Sequence, residues 1–291
     1  MNDRPRGDRA RRVRDHVVTV RSPANDRVKL LRGLSAAPVR RRTGLTLVEG
    51  IALVREALDS GASLVTAAYD EDAAGSARVA ELAALLRKHG VDVWPADHRV
   101  FRQMAQTETP QGILAAVRIP DTPAEMAMSD VIARARATGD ALVVLMDGVQ
   151  DPGNAGSIVR SGDAFGASCV IFGGPSADPY NPKVLRASMG SVFHIPCVAA
   201  DDAAAAAGSL LAAGFRLYYG DAKAETPVYS VDLSGPVVIV AGNEAAGVSP
   251  SLRALGSAIA VPIYGMAESL NVSMALTAML YEARRQRSLA L

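Results

Sequence analysis

Cysteine is almost missing: Cys169 and Cys197 are the only two in 291 residues, and both lie inside apolar segments. A chain of this length buries roughly three quarters of its unfolded surface, so it needs no disulfide or metal staples. Two buried thiols suit a reducing cytoplasm. Aromatic residues make up 4% of the chain, so aliphatic side chains must carry the core. Long hydrophobic runs are lacking as well: the longest, 141–146 and 237–241, are far too short to cross a bilayer. No apolar stretch follows the start, where the first fifteen residues are rich in Arg and Asp. The expectation is a cytoplasmic protein with no secretory signal and no membrane partner. With 49% apolar and 21% charged residues, disorder is excluded as the dominant state. Length alone favours two domains.

Lysine is scarce too, at four residues, so arginine carries the positive charge. The formal net charge of +1 hides an asymmetry. Residues 1–42 hold thirteen Lys and Arg against four Asp, whereas the other 18 basic and 26 acidic residues leave the remainder at −8. Six arginines fall between Arg4 and Arg14, and Arg40, Arg41 and Arg42 form a second cluster. A basic arm on an otherwise acidic protein reads as a phosphate contact. A solvated, flexible tail is the alternative for residues 1–22. The second cluster directly precedes an apolar strand, which favours the nucleic-acid reading and makes Arg40, Arg41 and Arg42 candidate RNA contacts.

Order is expected from Asn25 onward. Val28, Leu30, Leu31 and Leu34 are spaced for a helix face, and 45–48 reads as a strand. A helix over 51–58 stops at Gly61, and a strand 64–69, helix 77–88, strand 91–94, short helix 100–105 and strand 112–119 follow. This alternation implies a small α/β domain over 23–119. The linker is read over 120–130, because Pro120 and Pro123 fall within four positions. A helix at 124–137 overlaps its end. The second domain, 131–291, continues with strands at 141–146, 168–172, 192–198, 215–219, 237–241 and 258–262, and helices at 155–166, 183–189, 201–213 and 249–255, with a long final helix from about Asn271. Continuous apolar strands alternating with helices argue a parallel sheet covered on both faces.

Three segments stand out, each at the end of a predicted strand, the edge where parallel sheets bind ligands. In 147–160, Pro152-Gly153 makes a turn, Asn154 can cap the next helix, and Arg160 lies on its second turn. Alone, these two read as a cap and a surface charge. The second segment, 242–249, imitates a phosphate loop, but Val248 stands where the essential lysine belongs. What remains is a glycine-bounded loop with one carboxylate, Glu244, between its glycines. The third, 261–275, places Ser269, Asn271 and Ser273 at a helix start, more polar groups than capping requires.

Together these segments resemble the SpoU (TrmH-like) family of RNA ribose 2′-O-methyltransferases, within the SPOUT class. Asn154, Gly156, Ile158 and Arg160 match N-x-G-x-[IL]-x-R; Gly242, Glu244 and Gly247 match G-x-E-x-x-G. Pro262, Gly265, Ser269, Leu270, Asn271, Val272 and Ser273 match P-x-x-G-x-x-x-S-L-N-V-S, and 185–196 resembles the family's L-R-A-S-x-G…P stretch. In the front domain, 41–56 is similar to the basic segment running into F-x-V-E-G, and 107–112 to the T-x-x-P-Q-G turn. The first domain is thus similar to the ribosomal-protein-like module that binds substrate RNA.

The resemblance implies a knotted C-terminal α/β domain, its end tucked through a loop as a trefoil. It implies S-adenosyl-L-methionine held by Gly242, Val261, Ile263, Leu270 and Asn271, a homodimer, and no metal. Arg160 would activate the ribose hydroxyl, with Asn154, Glu244, Ser269 and Asn271 orienting it. A guanidinium keeps its proton at neutral pH, so Arg160 is expected to clamp phosphate and stabilise a developing alkoxide rather than act as base. None of the histidines looks suited to the reaction: His194 reads as part of an apolar strand, His89 and His98 as surface residues. The front module points to 23S rRNA rather than tRNA as substrate, and the Arg- and Ala-rich composition suggests self-protection against a ribosome-targeting antibiotic. A non-catalytic RNA-binding assembly factor of the same fold is the alternative.

Overall fold

The computed structural model describes residues 18–121 and 124–289. The arginines between Arg4 and Arg14 lie outside these residues. At the end of the expected arm, Val20 is already part of the front domain: its N–H donates to the Pro95 carbonyl (2.9 Å) and its carbonyl accepts from Asp97 (3.0 Å).

In chain order the elements are α1 (Asp26–Gly33), α2 (Ala37–Thr43), β1 (Leu45–Glu49), α3 (Ile51–Asp59), β2 (Leu64–Asp70), α4 (Ala77–Lys88), β3 (Asp92–Ala96), α5 (His98–Met104) and β4 (Ile113–Arg118). They are followed by α6 (Ala124–Thr138), β5 (Leu142–Asp147), α7 (Pro152–Ala164), β6 (Cys169–Gly173), α8 (Pro182–Ala187), β7 (Cys197–Ala200), α9 (Ala203–Ala212), β8 (Arg216–Gly220), β9 (Val237–Gly242), α10 (Pro250–Arg253), β10 (Ser257–Ile259) and α11 (Val272–Leu289). Because α6 begins at Ala124, the second half of the expected 120–130 linker is helical.

The front sheet has the order β1-β4-β2-β3, with β4 antiparallel to both neighbours and β2 parallel to β3. Successive side chains on a strand face opposite ways. In β4, Ile113, Ala115 and Val117 therefore pack under α3 and α4, while Leu114 and Ala116 pack with Trp94 and Phe101 under α1 and α5. The second sheet is wholly parallel, in the order β10-β8-β9-β5-β6-β7. Helices α7, α8 and α11 cover one face and α6, α9 and α10 the other, which explains why its central strands read as unbroken apolar runs.

The apolar layer under α3 and α4 is continuous with the one beneath α7 and α11, so the two domains share a core. Polar bridges reinforce that junction. Arg40 pairs with Asp178, Thr46 Oγ1 donates to the Tyr180 carbonyl (2.6 Å), and His194 sits between Glu56 (2.8 Å) and Asp163 (2.7 Å).

Three local expectations change. The strand expected over 192–198 is a 3-10 turn at Ser191–Phe193, entered through left-handed Met189 and Gly190, and β7 starts only at Cys197. His194 is therefore a bridge between domains and not a strand residue. The strand expected over 258–262 ends at Ile259, short of Pro262, which has no N–H to donate. Helix α2 carries the arginine cluster, and its one apolar contact residue, Val39, gives no periodic signal.

Candidate active site

The three motif segments converge at the C-terminal edge of the parallel sheet. A cleft of about 370 Å³ opens there, between the ends of β8 and β9, the chain after β10 and the start of α11. Gly242, Val261, Ile263, Leu270 and Asn271, expected to hold the cofactor, all line it, as do Glu244 and Ser269. Its remaining walls include Val240, Ala275, Leu276 and Met279. A cleft with apolar walls and a few convergent polar groups is the usual form of a small-molecule site.

Backbone approach sets the cleft floor. A Cβ on Gly242 would lie 2.4 Å from the Gly247 carbonyl carbon and 2.5 Å from the Val248 nitrogen, so only glycine lets the loop fold back here. That fold-back is a two-way backbone bridge, Asn243 N–H to the Gly247 carbonyl (3.0 Å) and Gly247 N–H to the Asn243 carbonyl (2.9 Å). Asn243, at a position the G-x-E-x-x-G pattern leaves open, fixes the loop further. Its Nδ2 donates to the Gly148 carbonyl (2.8 Å) and its Oδ1 accepts from the amides of Ala245 and Ala246. Gly156 has a different role: a Cβ there would meet Ala187 Cβ at 2.5 Å and the Val184 carbonyl at 2.6 Å, so this motif glycine lets α7 and α8 touch.

Asn154 does not cap α7. Asp151 does, accepting from the Asn154 N–H at 2.8 Å, and Pro152 occupies the first turn, where its missing N–H costs nothing. The Asn154 side chain is thereby freed to link the other two motifs. Its Nδ2 donates to Glu244 Oε1 (2.9 Å), and its Oδ1 accepts from Asn271 Nδ2 (3.0 Å). Asn271 in turn caps α11, its Oδ1 accepting from the N–H and hydroxyl of Ser273. Burial alone would raise the Glu244 carboxyl. Hydrogen bonds from Asn154 and from the amides of Glu244 itself, Asp151 and Gln150 outweigh that effect and hold it below the usual carboxylate range. Glu244 is therefore the anionic centre of a fixed polar network spanning all three motifs.

Arg160 and Ser269 are not drawn into this network. Ser269 lines the cleft and stays exposed. Arg160 is exposed on α7 and, among the described residues, has no hydrogen-bond or ion-pair partner. Six residues along a helix turn it well away from Asn154. Arg41 and Arg42 are exposed, as an RNA contact requires, but Arg40 is not: it is 2% exposed and engaged by Asp178 and two backbone carbonyls. Consecutive helical side chains diverge by about 100°, so a cluster of three cannot share one face. Asp70, Asp72 and His98 bring potential metal-ligand atoms together in the front domain, and none of the three lines the cleft. No helix among the described residues is long and apolar enough to cross a membrane.

Comparison with known proteins agrees with this geometry. Residues 141–281 match the SpoU rRNA Methylase family, and residues 25–115 match the MRM3-like substrate binding domain. The chain is 33% identical over 267 residues to the 23S rRNA (guanosine(2553)-2′-O)-methyltransferase RlmP of Bacillus subtilis, covering 91% of this chain and 98% of the relative. It is 34% identical over 258 residues to the 23S rRNA (uridine(2479)-2′-O)-methyltransferase of Streptomyces viridochromogenes, covering 85% of each. Among solved structures, the AdoMet-bound rRNA methyltransferase from Sinorhizobium meliloti superimposes with a TM-score of 0.78 at 32% identity, over 92% of this chain and 97% of that one. The SpoU methyltransferase AviRb from Streptomyces viridochromogenes, in complex with AdoMet, gives 0.77 at 32% identity over 91% of this chain and 100% of that one. With both domains and the three converging motifs accounted for, the chain belongs to the SpoU rRNA methylase family.

Proposed function

We propose that this chain methylates a ribose 2′-hydroxyl of 23S rRNA, with S-adenosyl-L-methionine as donor. The observation that carries the reading is the Asn154–Glu244–Asn271 network at a cleft lined by Gly242, Val261, Ile263 and Leu270. Relatives named for 23S rRNA 2′-O-methylation and neighbours described with AdoMet support it. The cleft suits the donor: a flat base wants apolar walls and main-chain partners, and Gly242 leaves the loop backbone in reach. When bound, the donor supplies a methyl group activated by its sulfonium. The chain must supply orientation and charge stabilisation for a hydroxyl, a poor nucleophile until its proton is taken or polarised. Asn154 and Asn271, held by ionised Glu244, orient the ribose, with Ser269 alongside.

Arg160 serves as the phosphate and alkoxide clamp, and its lack of any contact with its own network favours a homodimer in which it completes the partner's cleft. Exposed apolar side chains support that assembly: Met274 (66%) and Tyr281 (59%) lie seven residues apart on α11, and Tyr264 in the preceding loop is 91% exposed. The knotted course of the C-terminal domain and a cytoplasmic location belong to the same reading. So does self-protection against a ribosome-targeting antibiotic, which expression in a sensitive host would test. The MRM3-like substrate domain favours rRNA over tRNA.

The test is transfer of labelled methyl from S-adenosyl-L-methionine to separate 23S rRNA, 16S rRNA and tRNA transcripts, with Arg160→Ala as control. Label in 23S rRNA alone, lost in the variant, is expected. Cofactor binding without transfer to any transcript would move the substrate to a ribosomal particle. Absence of binding would revive the non-catalytic assembly factor.

A further inference from the structure

A buried arginine that bridges two domains demands an account. Arg40 Nη1 donates to the carbonyls of Leu34 (3.0 Å) and Ser35 (2.8 Å), at the C-terminal end of α1, where a cation is favoured. Its Nε (3.1 Å) and Nη2 (2.5 Å) both donate to Asp178 Oδ2, in the loop between β6 and α8. The other Asp178 oxygen accepts from the Tyr180 N–H (2.8 Å), and the Tyr180 carbonyl accepts from Thr46 Oγ1. The loop 178–180 is thus gripped from the front domain by α2 and β1 together.

That loop is also part of the site's scaffold. Two residues before Asp178, Ser176 Oγ accepts from the amides of Gly148 (3.0 Å) and Val149 (3.2 Å), and the Ala177 N–H donates to the Val149 carbonyl. The next two amides, of Gln150 and Asp151, are those that hold Glu244. In the other direction, Arg41 and Arg42 follow Arg40 on the same helix and stay exposed. One ion pair therefore stands between a basic exposed turn and the loop beside the catalytic network.

We propose that Arg40 and Asp178 form a positioning pair that fixes the RNA-gripping domain, with Arg41 and Arg42, at a set distance from the methyl-transfer cleft. Neither residue touches substrate; the pair sets where the target ribose arrives. This rests on the activity proposed above.

Two variants separate the pair from general folding. Asp178→Asn removes a charge from a half-exposed side chain and leaves the front domain's own contacts intact. Arg40→Lys keeps the charge, but one ammonium cannot span both carbonyls and the carboxylate as the planar guanidinium does. Spin labels at Glu81→Cys on α4 and Ser209→Cys on α9, both exposed, report the interdomain distance, since Cys169 and Cys197 are buried. The expected result is one narrow distance distribution in the labelled wild type, broadened in both variants. Cofactor affinity stays within about twofold, kcat/KM on 23S rRNA falls at least tenfold, and the double variant is no worse than Arg40→Lys alone. An unbroadened distribution in Asp178→Asn overturns the proposal. So does cofactor affinity that falls in step with the rate, because the pair would then support the cleft itself. Should the wild type methylate no RNA, the activity reading fails, while the distance measurement still decides whether the pair fixes the domains.

Discussion

Replacing Gly242 by alanine is the sharpest steric test of how the cleft is built, with Gly247→Ala as its internal comparison. Carbon–carbon contacts are optimal at about 3.5–4.0 Å, whereas a Cβ on Gly242 would stand 2.4 Å from the Gly247 carbonyl carbon and 2.8 Å from its oxygen. These are backbone atoms and cannot rotate aside. Moving them breaks the two hydrogen bonds between Asn243 and Gly247. Overpacking of this kind costs about 1–3 kcal/mol, and the rigid backbone places it near the upper figure. A loss of about 3 kcal/mol lowers the melting temperature of a domain this size by roughly 6–12 °C. Gly247 has open space within 4 Å but a φ of +71°, so alanine there brings only left-handed strain, about 1–2 kcal/mol. Thermal unfolding and calorimetric titration with S-adenosyl-L-methionine read both effects. Gly242→Ala should melt lower and lose at least tenfold in affinity, and Gly247→Ala should keep most of its affinity. Wild-type affinity in Gly242→Ala, or a melting shift smaller than that of Gly247→Ala, would mean that the close approach of residues 242 and 247 does not shape the cleft.

Glu244, with its lowered pKa, contributes stability that is present above the ordinary carboxylate range and lost as pH falls through its native value. Glu244→Gln should accordingly show a urea-midpoint deficit at neutral pH that fades on acidification; a deficit constant with pH would count against the network. His194 is held above its usual value by its hydrogen bond to Asp163, with burial opposing and Glu56 assisting. Its contribution is complete below about pH 6.5, the unfolded value, and disappears as pH rises through the raised native one. His194→Gln should therefore differ from wild type in melting temperature at mildly acidic pH and converge with it in base; a gap that widens with pH would contradict this. In a homodimer that shares its sites, mixing Arg160→Ala with Asn154→Ala subunits should recover part of the activity both lack. No recovery after subunit exchange would return Arg160 to its own cleft.

Much of this molecule was legible because its signals are periodic or sharply spaced. The unbroken apolar strands announced a parallel sheet, and the three motifs marked its C-terminal edge. Side-chain direction was less accessible. Asn154 and Asp151 are both good caps, and only the start of α7 at Pro152 decides that Asp151 takes the role and Asn154 faces Glu244. Arg40, Arg41 and Arg42 are chemically identical in a string of letters. The helix they share has Pro38 near its start and a left-handed Gly44 at its end, and its turn alone sends one inward and two outward. The turn at Met189 and Gly190 escaped for a related reason: its flanking residues are apolar enough to imitate a strand, and Gly190 is fixed by Glu56 of another domain, where a Cβ would come within 2.4 Å of its Cγ. Contacts between segments 130 or more residues apart leave no trace in local pattern.

On the proposed function the methyl group goes to a ribose oxygen and not to a base, and alkaline hydrolysis of the labelled 23S rRNA separates the two. A 2′-O-methyl group blocks attack on the adjacent phosphodiester, so label is expected in alkali-resistant dinucleotides and is absent with Arg160→Ala. Label recovered in mononucleotides would mean base methylation and would contradict it.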